Sequence, residues 1–440
     1  MSWFSEYFKF DEHRTDMRTE VLAGITTFMT MAYILFVNPA ILSDAIGKEA
    51  VPSLVTATAL SAGLATIMMA LYAKKPFALA PGMGLNAYFT YGVVLGMGYS
   101  WQVALAAVFV EGIIFIVLSL TKVRSAIIHA IPLSQKYAIG AGIGLFLTII
   151  GMEEAGIVVD HPATLITLGV ENFKTPELWL ALFGLFFAGI LISRRIKGAL
   201  LISILTTTII GIVLGVTPAP EKIFALPTLS YTFLKMDLKG LFNVGAIGVV
   251  FAFFMVDFFD TLGTITGLSA KAGFLTKDGK IPDAEKILLT DAVGTTMGAM
   301  FGTSTVTTYI ESAAGIEEGG RTGMTALVTG LLFLVIGLLV SPIAAIIPAY
   351  ATAPALIIVG YYMLSAIRGV DFDDPTEAIP AFLVLVTIPF TYSIADGIGM
   401  GFISYAIIKA LSGRGKEVHP LLYVLALVFV AYFLYLGGVL

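Results

Sequence analysis

Apolar residues come in long blocks along the chain, broken by short polar and charged clusters. A helix needs about 20 residues to cross the hydrocarbon layer, with a range of about 17–25. That length predicts spans near 20–37, 53–72, 101–121, 135–151, 177–193, 199–215, 244–266, 286–301, 321–341, 352–367, 376–393 and 395–411. Two further stretches, 82–97 and 303–316, are apolar but too short or too polar for ordinary spans. Counted as half-crossings, they bring the total before residue 412 to fourteen. A last apolar run, 419–438, is either a fifteenth span or an interfacial helix.

The basic residues fit that count. Of 25 Lys and Arg, 20 fall on the side holding the N-terminus; only Lys48, Lys174, Lys222, Lys235 and Lys239 fall on the other. The richer side is predicted to be cytoplasmic, which places a multi-pass chain in the cytoplasmic membrane. Omitting either short stretch would put several basic clusters, such as Lys122 with Arg124 and Lys277 with Lys280, on the wrong face.

Composition agrees with lipid as the solvent. Hydrophobic residues make up 58% of the 440 and charged residues 12%, and the mean hydropathy is +0.94. A soluble domain has about 25% charged residues, so soluble and disordered classes are excluded. Cysteine is absent, which removes disulfides and thiolate metal sites. His13, His129, His161 and His419 lie outside the apolar runs. No metal or other cofactor is expected, and the formal net charge of -5 gives no hint of nucleic-acid binding.

The two halves resemble each other. Val110–Phe115 (VEGIIF) aligns with Val328–Phe333 (VTGLLF), and Ile131-Pro132 with Ile347-Pro348. Seven crossings per half is an odd number, so the second copy must lie upside down. The expected fold is an all-α polytopic bundle of fourteen segments in a 7+7 inverted repeat, followed by a C-terminal apolar helix. Secondary transporters use this plan and bind near the midplane.

The short stretches carry the candidate chemistry. Pro81, Gly82 and Gly84 precede Asn86, and a Ser/Thr/Val run (303–308) precedes Tyr309 and Glu311. Such backbone is expected to be extended or broken, which membranes tolerate only beside protein or a wet cavity. Asp257 and Asp260 sit three apart on one predicted span, so they share a helical face. An acid at a helix centre costs about 2.5–3.5 kcal/mol on insertion scales, so such residues normally mark a pathway. A carboxyl able to exchange between charged and neutral forms is what proton coupling requires. Asp291 opens the next span and reads as a helix cap. Glu111 reads equally as structural or functional. An intramembrane enzyme is disfavoured, because no His lies in a span and the closest acid pair lies on one helix.

At these residues the chain resembles the AzgA-like purine permeases, a branch of the nucleobase–cation symporters. The motifs are Gly24–Pro39, Ala80–Phe89, Val256–Thr264 and Gly302–Ser312, and the likeness runs from about residue 8 to 420. The resemblance implies a proton-coupled importer of purine bases (hypoxanthine, guanine or adenine) that works as a homodimer by an elevator-like motion. It implies a uracil-permease-like core domain (1–134 and 241–345), a gate domain (135–240 and 346–418) and an appended helix (419–440). Asn86, Asp257 and Glu311 match the family's substrate-binding residues, with Thr308 and Tyr309 flanking the base. Asp260, with Asp257 and Glu311, falls to proton coupling or structure. Where related uracil permeases carry Glu and a following His, this chain has Asp257 and Thr261, so a scheme relying on that His does not transfer. Tyr88, Phe89 and Tyr309 are expected to sandwich the ring. The alternative is a carrier of another nucleobase (uracil or xanthine) or of an anion on the same fold.

Overall fold

The computed structural model describes residues 3–121, 130–242, 244–275 and 281–436. Lys122, Arg124, His129, Lys277 and Lys280 lie outside the described residues. Eight helices among those described are long and apolar enough to cross a membrane, and four shorter apolar helices accompany them.

The first span is longer than its hydropathy suggested. It comprises α1 (Met17–Met31) and α2 (Ile34–Ile46), joined by a bend at Ala32 and Tyr33. There the amides of Phe36 and Val37 both donate to the Tyr33 carbonyl, each at 3.0 Å. Pro39 within α2 removes another donor from the ladder. Next come α3 (Val51–Met68), strand β1 (Leu79–Pro81) and the short α4 (Met83–Ala87), which runs on in wider π-type turns to Gly96. Then follow α5 (Trp101–Ser119) and α6 (Leu133–Glu154). Strands β2 (Val158–His161) and β3 (Leu165–Leu168) form a hairpin that the all-helical expectation missed. The first half closes with α7 (Pro176–Ser193) and α8 (Ala199–Val213).

The second half repeats the order. It contains α9 (Val244–Ala272), α10 (Ala284–Phe301), strand β4 (Val306–Thr308), short α11 (Ser312–Glu317) and α12 (Gly323–Leu332). Helices α13 (Ala349–Leu364), α14 (Pro375–Thr391) and α15 (Ile394–Lys409) complete it. Helix α16 (Pro420–Leu436) lies antiparallel along α15: Tyr423 reaches the Gly415 carbonyl, and Phe429 packs on Phe402 at 5.9 Å. The run near 419–438 is therefore helical and packs beside its neighbour.

The repeat is visible in packing. Gly112, inside the first matched motif, brings α5 against Thr295 and Thr296 of α10. Its counterpart Gly330 brings α12 against Gly63 and Ile67 of α3. Small residues permit that backbone approach, the main source of helix association where lipid is as apolar as the side chains. Strands β1 and β4 pair antiparallel about Ala80 and Thr307, the relation expected of segments exchanged by a two-fold axis.

Candidate functional site

The β1–β4 ribbon is the floor of the site. Three residue pairs join the strands, and the amides of Gly82 and Tyr309 extend the ribbon by donating to Thr305 and Ala78, each at 2.9 Å. Extended backbone leaves further polar groups that no ladder satisfies, and hydroxyls from neighbouring helices supply the partners. Thr66 accepts from the Leu79 amide (2.9 Å) and donates to its carbonyl (3.1 Å). Ser312 accepts from the Ala78 amide at 2.9 Å, and Thr295 donates to the Val306 carbonyl at 2.9 Å. Hydroxyls of α3, α10 and the start of α11 therefore satisfy the ribbon's backbone.

Beside the ribbon opens a cavity of about 1430 Å³. Asp260, Glu311, Thr308 and Tyr309 line it, together with Tyr33 and Tyr362. Its mouth carries Lys136, Arg195, Lys197 and Lys271, with ion pairs from Lys197 to Glu318 and from Lys271 to Glu317. Glu311 is fixed by the Tyr33 hydroxyl, which donates to Oε1 at 2.7 Å. Tyr309 donates to the Pro81 carbonyl, which ties the rim of the second broken segment to the first.

The remaining predicted residues stand behind this wall. Asn86 is fully buried and accepts from Ser304 through Oδ1, while its Nδ2 has no partner. Asp257 is fully buried, with Thr295 donating to Oδ2 at 3.3 Å and the Glu111 carboxyl as a further side-chain partner. Neither is among the residues lining the cavity. Glu111 is buried against Asp257. Tyr88 and Phe89, expected to sandwich a ring, are wholly buried outside the cavity lining, and Tyr88 instead meets Phe253 edge-on at 5.0 Å.

Asp291 does not cap a helix. α10 begins earlier, at Ala284, and carries Asp291 into the core, where it accepts from Thr261 (2.7 Å) and Thr308 (2.8 Å). Thr261 also lies 2.8 Å from the Thr307 hydroxyl. Thr261 thus belongs to a chain of hydroxyls linking the cavity wall to a buried carboxyl group. Tyr33, Thr307 and Tyr362 are cavity residues that the sequence reading did not single out. Tyr33 lies inside the Gly24–Pro39 motif, but an aromatic in an apolar run reads as core.

An apolar helical bundle with paired broken segments, beside a cavity that holds carboxyl groups at membrane depth, defines a multi-pass membrane transport protein. Residues 18–400 match Xan_ur_permease, the Permease family, and the chain belongs to it. It is a family of permeases, not of enzymes. A putative permease of Methanocaldococcus jannaschii is 54% identical over the full length of both chains. The adenine permease AdeP of Escherichia coli (strain K12) is 44% identical, with 96% of this chain and 94% of AdeP aligned. The guanine/hypoxanthine permease PbuG of Bacillus subtilis (strain 168) is also 44% identical, with 98% and 99% aligned. The transmembrane domain of the cyanobacterial bicarbonate transporter BicA shares the fold, with a TM-score of 0.66 and 18% identity over 87% of this chain and 97% of that one.

Proposed function

We propose that this chain imports purine nucleobases across the cytoplasmic membrane in symport with protons. The observation that carries the reading is the cavity beside the β1–β4 ribbon, where Asp260 and Glu311 present carboxyl groups next to Thr308 and Tyr309. A flat heterocycle with ring N–H groups needs acceptors at its edge and aromatic surface at its faces. Glu311 and Asp260 offer the first; Tyr309 and Tyr362 offer the second. The adenine and guanine/hypoxanthine permeases among its relatives support the same substrate class.

In this reading fourteen segments form a 7+7 inverted repeat with the N-terminus in the cytoplasm. A core (1–134, 241–345) carries the site past a gate (135–240, 346–418) in a homodimer, by an elevator-like motion. Asn86 and Asp257 serve the site from behind: Asn86 braces the 302–308 segment through Ser304, and Asp257 neighbours Glu111. Two adjoining carboxyls with no cation between them are costly in a dry interior, which supports this region as a place where protons are held. An anion carrier on the same fold is disfavoured, because Asp260 and Glu311 would repel the cargo.

The test is uptake of radiolabelled hypoxanthine into proteoliposomes, with adenine, guanine, uracil and sulfate as competitors, with and without an inward proton gradient. Competition by purines and stimulation by the gradient are expected. Competition by sulfate alone would overturn the substrate class. Indifference to the gradient would remove the coupling.

A further inference from the structure

Glu311 has one side-chain hydrogen-bond donor among the described residues, and it comes from the opposite repeat. Tyr33 donates to Oε1 at 2.7 Å across 278 positions of sequence. The Tyr33 ring is wholly buried, and its backbone sits at the bend between α1 and α2, where its carbonyl accepts from two amides. Thr30, one turn earlier, brings its hydroxyl to 3.4 Å from the Glu311 carbonyl oxygen. The phenol therefore has little freedom to swing away, and its O–H addresses one chosen oxygen of the carboxylate. Glu311 lines the cavity with Oε2 left without a side-chain donor.

This asymmetry bears on which edge of a base the carboxylate reads. A carboxylate with both oxygens free accepts two parallel N–H bonds from adjacent donors, as it does from the fork of an arginine. A 2-amino-6-oxopurine offers such a pair, the ring N1–H and the exocyclic 2-amino group. A 6-oxopurine without the amino group offers N1–H alone. We propose that Tyr33 is a positioning and specificity residue. By occupying one lone pair of Oε1 and fixing the carboxylate's orientation, it leaves Oε2 as the stronger acceptor toward the cavity, so a base is read chiefly through one N–H and the 2-amino group gains little there. The proposal rests on the purine reading given above.

Two measurements on the purified full-length protein test it. In the unaltered protein, guanine and hypoxanthine should displace radiolabelled hypoxanthine with affinities within about threefold of each other, because the 2-amino group finds no second strong acceptor on Glu311. Tyr33→Phe keeps the ring and frees Oε1. The affinity ratio of guanine to hypoxanthine should then rise about tenfold, the worth of one added hydrogen bond to a charged group. The gain should be read in the KM for guanine, measured against the KM for hypoxanthine in the same variant. A ratio unmoved by Tyr33→Phe, or equal losses for both purines with a fall in maximal rate, would show a merely structural tyrosine and overturn the proposal. A strong preference for guanine in the unaltered protein would overturn it without recourse to the variant. Absence of any purine binding would remove this inference together with the substrate reading, whereas purine binding with an unchanged ratio would remove this inference alone.

Discussion

The hydroxyl of Tyr91 stands 2.8 Å from Glu154 Oε1, at the end of α6 remote from the cavity mouth. The same hydroxyl lies 2.8 Å from Asp44 Oδ2. α6 has 22 residues and so spans about 33 Å. Its first turns line the large cavity, while Ile150, Glu153 and Glu154 line a separate recess at its far end. A phenol has one hydrogen and cannot donate to two carboxylates at once. Asp44 is also paired with Lys48 at 2.7 Å. One hydrogen thus stands between two carboxyl groups at this end of α6. Nearby, Tyr392 donates to Glu153 at 2.9 Å.

An amide at position 154 would give the Tyr91 oxygen a donor and leave its hydrogen to Asp44, so Glu154→Gln should tighten the recess. The chain contains no cysteine, so single cysteines can be placed at buried Ile150 and, as a reference, at exposed Leu95. The ratio of their labelling rates by an impermeant maleimide should fall several-fold when Glu154→Gln is added.

Glu311→Gln exchanges one acceptor oxygen for a donor amide at the cavity wall. Loss of a hydrogen bond to a charged group costs roughly 1.5–3 kcal/mol. Uptake efficiency (kcat/KM) for hypoxanthine should therefore fall by at least about tenfold to 150-fold, with the variant still extracted from membranes as folded protein. Radiolabelled uptake and gel filtration on the same preparation check both halves.

Gly330 is where α12 meets α3. A methyl group added there would lie 2.8 Å from the Gly63 carbonyl oxygen and 2.8 Å from Ile67 Cγ1. The first is backbone and cannot turn aside. Gly330→Ala should destabilise the detergent-solubilised protein by about 1–3 kcal/mol, the usual cost of overpacking. Thermal unfolding followed by tryptophan fluorescence gives the number.

Asp374 caps α14, accepting from the Thr376 amide at 2.9 Å, and receives Arg414 Nη1 at 2.6 Å. The Arg414 hydrogen bond, aided by Thr376, holds its carboxyl at about 2, below the usual 3.8. A depressed pKa contributes stability that is present above the unfolded value and is lost as pH falls through the folded one. Arg414→Gln should lower the melting temperature at neutral pH. The gap between the two proteins should narrow from about pH 5 down to about pH 2.5.

The helical blocks were legible because lipid demands long apolar runs. The broken segments were legible because Pro81-Gly82 and the Ser/Thr/Val run oppose helix. The direction of individual side chains was not. Asp257 and Asp260 share a face by spacing, yet three residues on a helix still differ by about 60° in azimuth. That turn is enough to leave Asp260 in the cavity wall and Asp257 behind it. Asp291 was misread as a cap although the predicted span already begins at 286; the helix starts at Ala284 and carries Asp291 about two turns in. Tyr33 carries no sequence mark that separates a carboxylate donor from a packing aromatic. The β2–β3 hairpin was missed because each strand is only four residues long.

The ribbon that joins Leu79–Pro81 to Val306–Thr308 also has a consequence for biogenesis. When the ribosome has delivered the first repeat, the partner strand for Leu79, Ala80 and Pro81 does not yet exist. Open backbone at that depth is costly, so the early segment must wait at the translocon, under a chaperone or in water until Thr308 has been synthesised. Assembly of this protein is therefore delayed at its centre, however early its outer helices insert.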